Sequence, residues 1–170
     1  MLEYSTEMRL DEIDVAILRE LQIDGRISNV ELARRVNLSP PATHARLKRL
    51  DEQGCIRQVV ALLDYEKVGY DMICFVSVSL QLHRVEELEG FRTIINGMPE
   101  VLECYHVTGE FDYLLKIVIH NRQDLQRFIV KDLTPVPGVA RIYTSLVLSE
   151  VKSTTALPLA WSKDSFNKAL

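Results

Sequence analysis

The sequence predicts an α+β chain of two units, an N-terminal winged helix-turn-helix followed by a C-terminal β-α-β-β-α-β sandwich. Three observations carry that expectation. Two helix starts, Ser28 and Ser39, stand eleven residues apart. The stretch from Tyr70 to Leu82 alternates with a period of two, the signature of a strand. The net charge is −4, yet residues 26–58 alone carry +4.

The first helix is expected from about Asp11 to Gln22, where Ile13, Ile17, Leu18 and Leu21 form an apolar stripe; residues 1–9 before it show no such pattern. Asp24-Gly25 is a turn signal. Ser28 is a good N-cap, and Glu31 three residues later completes the pattern of a capping box. Asn37-Leu38-Ser39 forms a short turn anchored by Leu38, Ser39 caps the next helix, and Pro40 takes its first position, where a missing N–H costs nothing. Gly54 supplies a left-handed stop. With Ile27, Leu32, Val36, Leu38, Leu47 and Leu50, the three helices can close a small core.

At about 100° per residue, Thr43, Leu47 and Leu50 share one face of the third helix, with Arg46 at its margin. The opposite arc carries Pro41, His44, Ala45, Lys48 and Arg49. Small residues near the N-terminus, polar side chains and cations are what a helix in a DNA major groove needs. We place Ser39, Pro40, Thr43, His44, Lys48 and Arg49 at a DNA duplex, with Arg34, Arg35 and Arg57 as phosphate contacts; Thr43, on the core-facing side, is the weakest member. Charge concentrated on this segment matters more than the overall sum.

Ile56 to Leu63 reads as an extended segment, a wing and then a connector, and the polar Asp64-Tyr65-Glu66-Lys67 marks a boundary. The expected division is 1–63 for the DNA-binding part, 64–152 for the second domain and 153–170 for a tail. In the Tyr70–Leu82 strand, Met72, Cys74, Val76, Val78, Leu80 and Leu82 face one way, and Ile73, Phe75, Ser77, Ser79 and Gln81 the other. Val85, Leu88, Phe91, Ile94 and Ile95 recur at helical spacing, stopped by Asn96-Gly97 and Pro99. Val101–Thr108 and Tyr113–His120 follow as strands across the tight turn Gly109-Glu110-Phe111-Asp112. Leu125, Phe128, Ile129 and Leu133 define a helix, and a last strand runs from about Val139 to Val151. This is the ferredoxin-like, split-βαβ order. Pro-x-Val-x-x-x-Tyr occurs at 99–105 and again at 137–143, a structural echo at the entry to two strands. Both sides of the first strand carry large apolar residues, so the helix-free sheet face calls for a partner sheet and a homodimer.

The chain is 47% hydrophobic and 26% charged, which is globular composition. Three cysteines with no CxxC spacing give no disulfide framework, no apolar run is long enough for a membrane span, and the first residues lack a basic leader. A cytoplasmic protein without membrane contact is expected.

Leu10-Asp-Glu-Ile-Asp-Val-Ala-Ile-Leu18, the run Asp24 to Ala33, Leu38-Ser-Pro40 and Arg46 to Ile56 resemble the Lrp/AsnC regulators, the leucine- and asparagine-responsive "feast/famine" transcription factors. Glu103 to Lys116, Val136-Pro-Gly-Val139 and Glu150-Val-Lys152 continue the resemblance, which spans about residues 10–152. It implies a DNA-binding regulator with an oligomerising, effector-sensing second domain, and dimers that assemble to octamers. It further implies an amino-acid pocket at the turn after the second strand, lined by His106, Gly109, Glu110 and Asp112, with Asp112 the ammonium partner. Arg122 and Thr144, Ser145 and Leu146 are expected to enter from a neighbouring edge. The chain departs from the leucine-responsive members at Pro41-Ala42-Thr43-His44, at Arg122 and at Ser145, which bears on operator and effector.

An enzyme is the rival class. Cys104 and His106 share a strand face near Asp112, but no nucleophile–base order, phosphate loop or paired metal-ligand motif accompanies them. Sirohaem decarboxylases resemble the same family and are the sharper alternative; the intact basic helix favours a regulator. No catalytic residue, metal or cofactor is assigned.

Overall fold

The computed structural model describes residues 10–81 and 85–159. They divide into two compact units, one running up to Ala61 and taking in the chain from Ser153, the other spanning Leu62–Lys152.

The first unit is built on α1 (Glu12–Ile23), α2 (Asn29–Arg35) and α3 (Pro40–Glu52). Ile17, Leu32 and Leu50 form its fully buried centre, with Ile13, Leu18, Leu21, Ile27, Val36, Leu47 and Ile56 packed around them. Ser28 and Ser39 cap α2 and α3 as expected, each accepting a backbone N–H three residues on. The capping box, however, sits on α1. There the Asp11 side chain accepts from the Asp14 amide and the Asp14 side chain from the Asp11 amide. At α2 the Glu31 carboxylate turns instead to Arg34 and Arg35, because two guanidiniums outbid one peptide N–H. The turn before α3 puts Asn37 at φ 54, and Gly54, just past α3, takes φ 73. Leu38 is half-buried.

The expected wing does not form. Residues 56–64 carry no strand. A wing needs a hairpin, and Ile56-Arg-Gln-Val-Val-Ala-Leu-Leu63 has no turn residue to fold one. From the far end of the chain, the Leu159 carbonyl accepts from the Arg19 guanidinium, and Leu157 exchanges hydrogen bonds with the Gln22 amide on α1.

The second unit holds β1 (Met72–Leu80), α4 (Val85–Asn96), β2 (Val101–His106), β3 (Tyr113–Ile119), α5 (Arg122–Arg127) running on into a π-helical stretch (Phe128–Leu133), and β4 (Val139–Leu146). The sheet order is β2-β3-β1-β4, with all three pairings antiparallel, as a split βαβ requires. Alternation places Cys74, Val76, Val78 and Leu80 in the core with Leu115, Ile117 and Ile119. Leu82 and the side chain of Val85 lie outside the described residues. On α4 the buried stripe is Leu88, Phe91 and Ile95, whereas Ile94 is 39% exposed. In the last helix the Thr134 amide reaches back five residues to the Ile129 carbonyl. That wider turn lets Phe128 and Leu133, five apart in sequence, both be buried. Val101 and Val139 open β2 and β4, each donating to a carbonyl three residues earlier, so the Pro-x-Val repeat is a shared strand entry.

The helix-free face of the sheet presents Ile73, Phe75, Ser77 and Ser79 from β1, flanked in register by Leu114, Lys116 and Val118 from β3 and by Arg141, Tyr143 and Ser145 from β4. Phe75, Tyr105 and Tyr143 remain exposed.

Candidate DNA-binding face and effector loop

Helix α3 divides as its wheel requires. Thr43 and Leu50 are fully buried and Leu47 half-buried, while Pro41, Ala42, His44, Ala45, Lys48 and Arg49 are exposed. The inward side is fixed by apolar packing and by an ionic cluster. Asp14 of α1, 1% exposed, takes Arg46 Nη1 at 2.8 Å on Oδ1 and Arg49 Nη2 on Oδ2. Arg46 Nη1 also reaches Asp11 at 2.6 Å. Burial alone would push the Asp11 carboxyl up, but the Asp14 amide and Arg46 outweigh it and hold it below its ordinary value.

Of the residues predicted to lie at a duplex, Thr43 is buried and the others are exposed. Thr43 is fully buried, with its hydroxyl donating to the Ser39 carbonyl, so it belongs to the core and offers nothing to a ligand. Ser39 and Pro40 are exposed at the start of α3. Arg34 pairs with Glu31, and Arg35 with both Glu20 and Glu31. Their guanidiniums, Arg34 first, hold the Glu31 carboxyl down at about 2. Both cations therefore arrive with part of their charge already matched. Lys48 sits 3.6 Å from Glu52 across a fully solvated turn, and Arg57 has no ion pair among the described residues.

The effector-loop residues occupy one end of the sheet. Residues 107–112 link β2 to β3, with Gly109 at φ 123. The loop is tied to the end of β1: the Leu80 amide donates to Asp112 Oδ2 at 2.8 Å, and the Ser79 hydroxyl to the Glu110 carbonyl at 3.4 Å. Arg141 of β4 binds Glu110 at 2.9 Å and lays its guanidinium 4.7 Å from the centre of the Phe111 ring. Arg141's part was not legible in the sequence, since β4 meets this loop only in the folded sheet. His106 stacks on Tyr113 at 4.9 Å.

Four predicted members stand apart from the loop within one chain. Arg122 follows the far end of β3, about 20 Å away at the rise of a strand. Thr144, Ser145 and Leu146 pair with Val76, Phe75 and Cys74, towards that same far end. Antiparallel register separates them, because β4 begins beside the loop and runs away from it. Burial pushes the Cys104 thiol up, away from thiolate, although Arg92 opposes it. Among the described residues no three His, Cys, Asp or Glu side chains gather as metal ligands.

A helix-turn-helix with a solvated, cation-bearing third helix, joined to a split-βαβ unit with a loop of charged residues, defines a DNA-binding regulator with a ligand-binding domain. The family models agree in both halves: the AsnC-type helix-turn-helix domain matches residues 10–51, and the Lrp/AsnC ligand binding domain residues 73–157. The chain belongs to the Lrp/AsnC family of transcriptional regulators. It is 39% identical over 150 residues to the transcriptional regulator AzlB of Bacillus subtilis, covering 88% of this chain and 96% of that one. It is 41% identical over 145 residues to the leucine-responsive regulatory protein of Rhizobium meliloti, covering 85% and 93%. Among solved structures, a transcriptional regulator of Neisseria meningitidis in complex with L-Met superposes with a TM-score of 0.86 at 40% identity, covering 88% and 97%. An AsnC family regulator from Agrobacterium tumefaciens gives 0.83 at 33% identity, with the same coverage. No described helix is long and apolar enough to cross a membrane.

Proposed function

We propose that this chain is an amino-acid-responsive transcriptional regulator that reads DNA with the outward arc of α3 and senses its effector at the 107–112 loop. The observation that carries the first half is the arc itself. Ala42 and Ala45 let the helix backbone approach the groove floor, His44 offers donors to base edges, and Lys48 and Arg49 face the phosphates, with Arg57 beyond the helix. Arg34 and Arg35 act as weaker phosphate contacts, since binding must compete with Glu31 and Glu20. Ser39 and Pro40 bring the positive end of α3 to the backbone.

The sensing half rests on the loop's chemistry and on the L-Met found in the Neisseria meningitidis relative. Asp112 takes the effector's ammonium group, and loop amides take its carboxylate. Because Arg122 and Thr144–Leu146 lie at the far end of the strand, they join such a pocket only from another subunit. Pairing through the open sheet face, with further assembly towards an octamer, supplies one. The DNA-reading part extends to residue 63 and the sensing part over 64–152, and the protein works in the cytoplasm with its DNA.

Selection of bound duplexes from a random pool defines the operator, and calorimetry with the common amino acids defines the effector. Lys48→Ala with Arg49→Ala is expected to weaken operator binding at least tenfold, about the loss of two cation contacts; unchanged affinity at moderate salt removes α3 from the interface. Asp112→Ala is expected to abolish amino-acid binding while DNA binding survives, and retained effector affinity moves the pocket elsewhere.

A further inference from the structure

We propose that Asp14, on the first helix and not itself on the outward arc of α3, is a positioning residue for DNA binding: its carboxylate holds the Arg49 guanidinium ready to clamp a phosphate. This rests on the reading of α3 as the DNA-binding helix.

Asp14 and Thr43 are the two buried polar residues among those described, and Asp14 is charged. Besides the Asp11 amide of its own capping box, which shares Oδ2 with Arg49, its partners lie on α3, more than thirty residues away in sequence, at Arg46 and Arg49. The two arginines are not equivalent. Arg46 is bonded to both Asp11 and Asp14, with its side chain 27% exposed, and that pair of bonds is enough to tie α1 to α3. Arg49 makes one contact, through Nη2, and its side chain is 46% exposed on the same arc as His44 and Lys48. A guanidinium has five N–H donors in a planar fork. With Nη2 on a buried carboxylate and the side chain 46% exposed, the remaining N–H groups are left to meet an anion.

That arrangement suits an anion arriving from solvent: Arg34 spends two nitrogens on Glu31 and Arg35 one on each of two carboxylates, whereas Arg49 spends one. A free arginine side chain loses rotamer entropy when it binds a phosphate, and one already held loses less. The buried carboxylate also offsets the repulsion between Arg46 and Arg49, one turn apart on α3. A phosphate on Arg49 then completes a chain from carboxylate through guanidinium to phosphate, with every partner charge-assisted. Lysine cannot replace Arg49 here, because a single ammonium lacks two opposed edges.

The test uses a fluorescent duplex of random sequence, since a phosphate contact acts on all sequences alike, and reads affinity against salt. Arg49→Ala and Asp14→Asn are each expected to weaken binding about tenfold and to flatten the salt slope by about one per protomer. In the double variant the loss is expected to stay within about twofold of Arg49→Ala alone, because Asp14 acts through Arg49. A full additional loss in the double variant overturns the proposal. If thermal melting shows Asp14→Asn unfolded, Arg49→Lys decides: a loss close to that of Arg49→Ala supports the clamp, and wild-type affinity and slope overturn it. Lys48→Ala separates the two levels. If it flattens the slope while the Asp14–Arg49 cycle is additive, the clamp fails and the DNA-binding helix stands. If neither Lys48→Ala nor Arg49→Ala changes the slope, the reading of α3 itself fails.

Discussion

Replacing Phe75 by lysine tests the open sheet face as a subunit interface. Phe75 lies at the centre of that face and is 39% exposed in the single chain. For a ring that offers roughly 200 Å², this leaves about 80 Å² to be buried by a partner, or about 2 kcal/mol. A two-fold interface uses the residue twice, so its loss costs about 4 kcal/mol, close to three powers of ten in the dimer Kd. The new ammonium adds to this, because Phe75 stands directly across from Lys116 on β3. Aspartate at the same position can share Lys116, whose Nζ also pairs with Glu103 at 3.2 Å, so Phe75→Asp is expected to disrupt less than Phe75→Lys. Sedimentation from tens of nanomolar to tens of micromolar reads the shift, and far-UV circular dichroism confirms that the monomer stays folded. A lysine variant that sediments as wild type across the series would falsify the interface. Greater disruption by aspartate than by lysine refutes the charge assignment drawn from the strand register.

Leu50→Ala opens a cavity in a centre of only three fully buried side chains and is expected to cost about 2–5 kcal/mol. Scanning calorimetry should show the helical unit melting early while the sheet unit's transition holds; one unshifted transition contradicts this. Asp11 has a folded-state carboxyl pKa below its ordinary value, so its contribution is present above that ordinary value and is lost as pH falls through the depressed one. Acid titration of the helical unit's stability should therefore flatten at the low end in Arg46→Met, and an unchanged profile would show that Arg46 is not the cause. Gly109 holds φ 123, where a side chain is strained by about 1–3 kcal/mol. Gly109→Ala should lower both the melting temperature and effector affinity, and an unaltered calorimetric titration would mean that the loop's conformation does not shape the pocket.

The local features were legible in the sequence because their causes are local. Ser28, Ser39, Pro40 and Gly54 mark helix ends through chemistry within four residues. The period-two alternation of β1 fixed which side chains enter the core before any pairing was known. The outward arc of α3 followed from its wheel, and every member assigned to that arc is exposed. What the sequence could not decide depends on groups distant along the chain. Glu31 left its capping role because Arg34 and Arg35 compete for it, and Arg49 has a carboxylate partner because α1 delivers Asp14 to it. The π-helical turn near Phe128 arises from core packing, which overrides the ordinary spacing. The separation of Arg122 from the 107–112 loop, and the pairing of Arg141 with Glu110, were set by antiparallel register, a property of the folded sheet that no single strand contains.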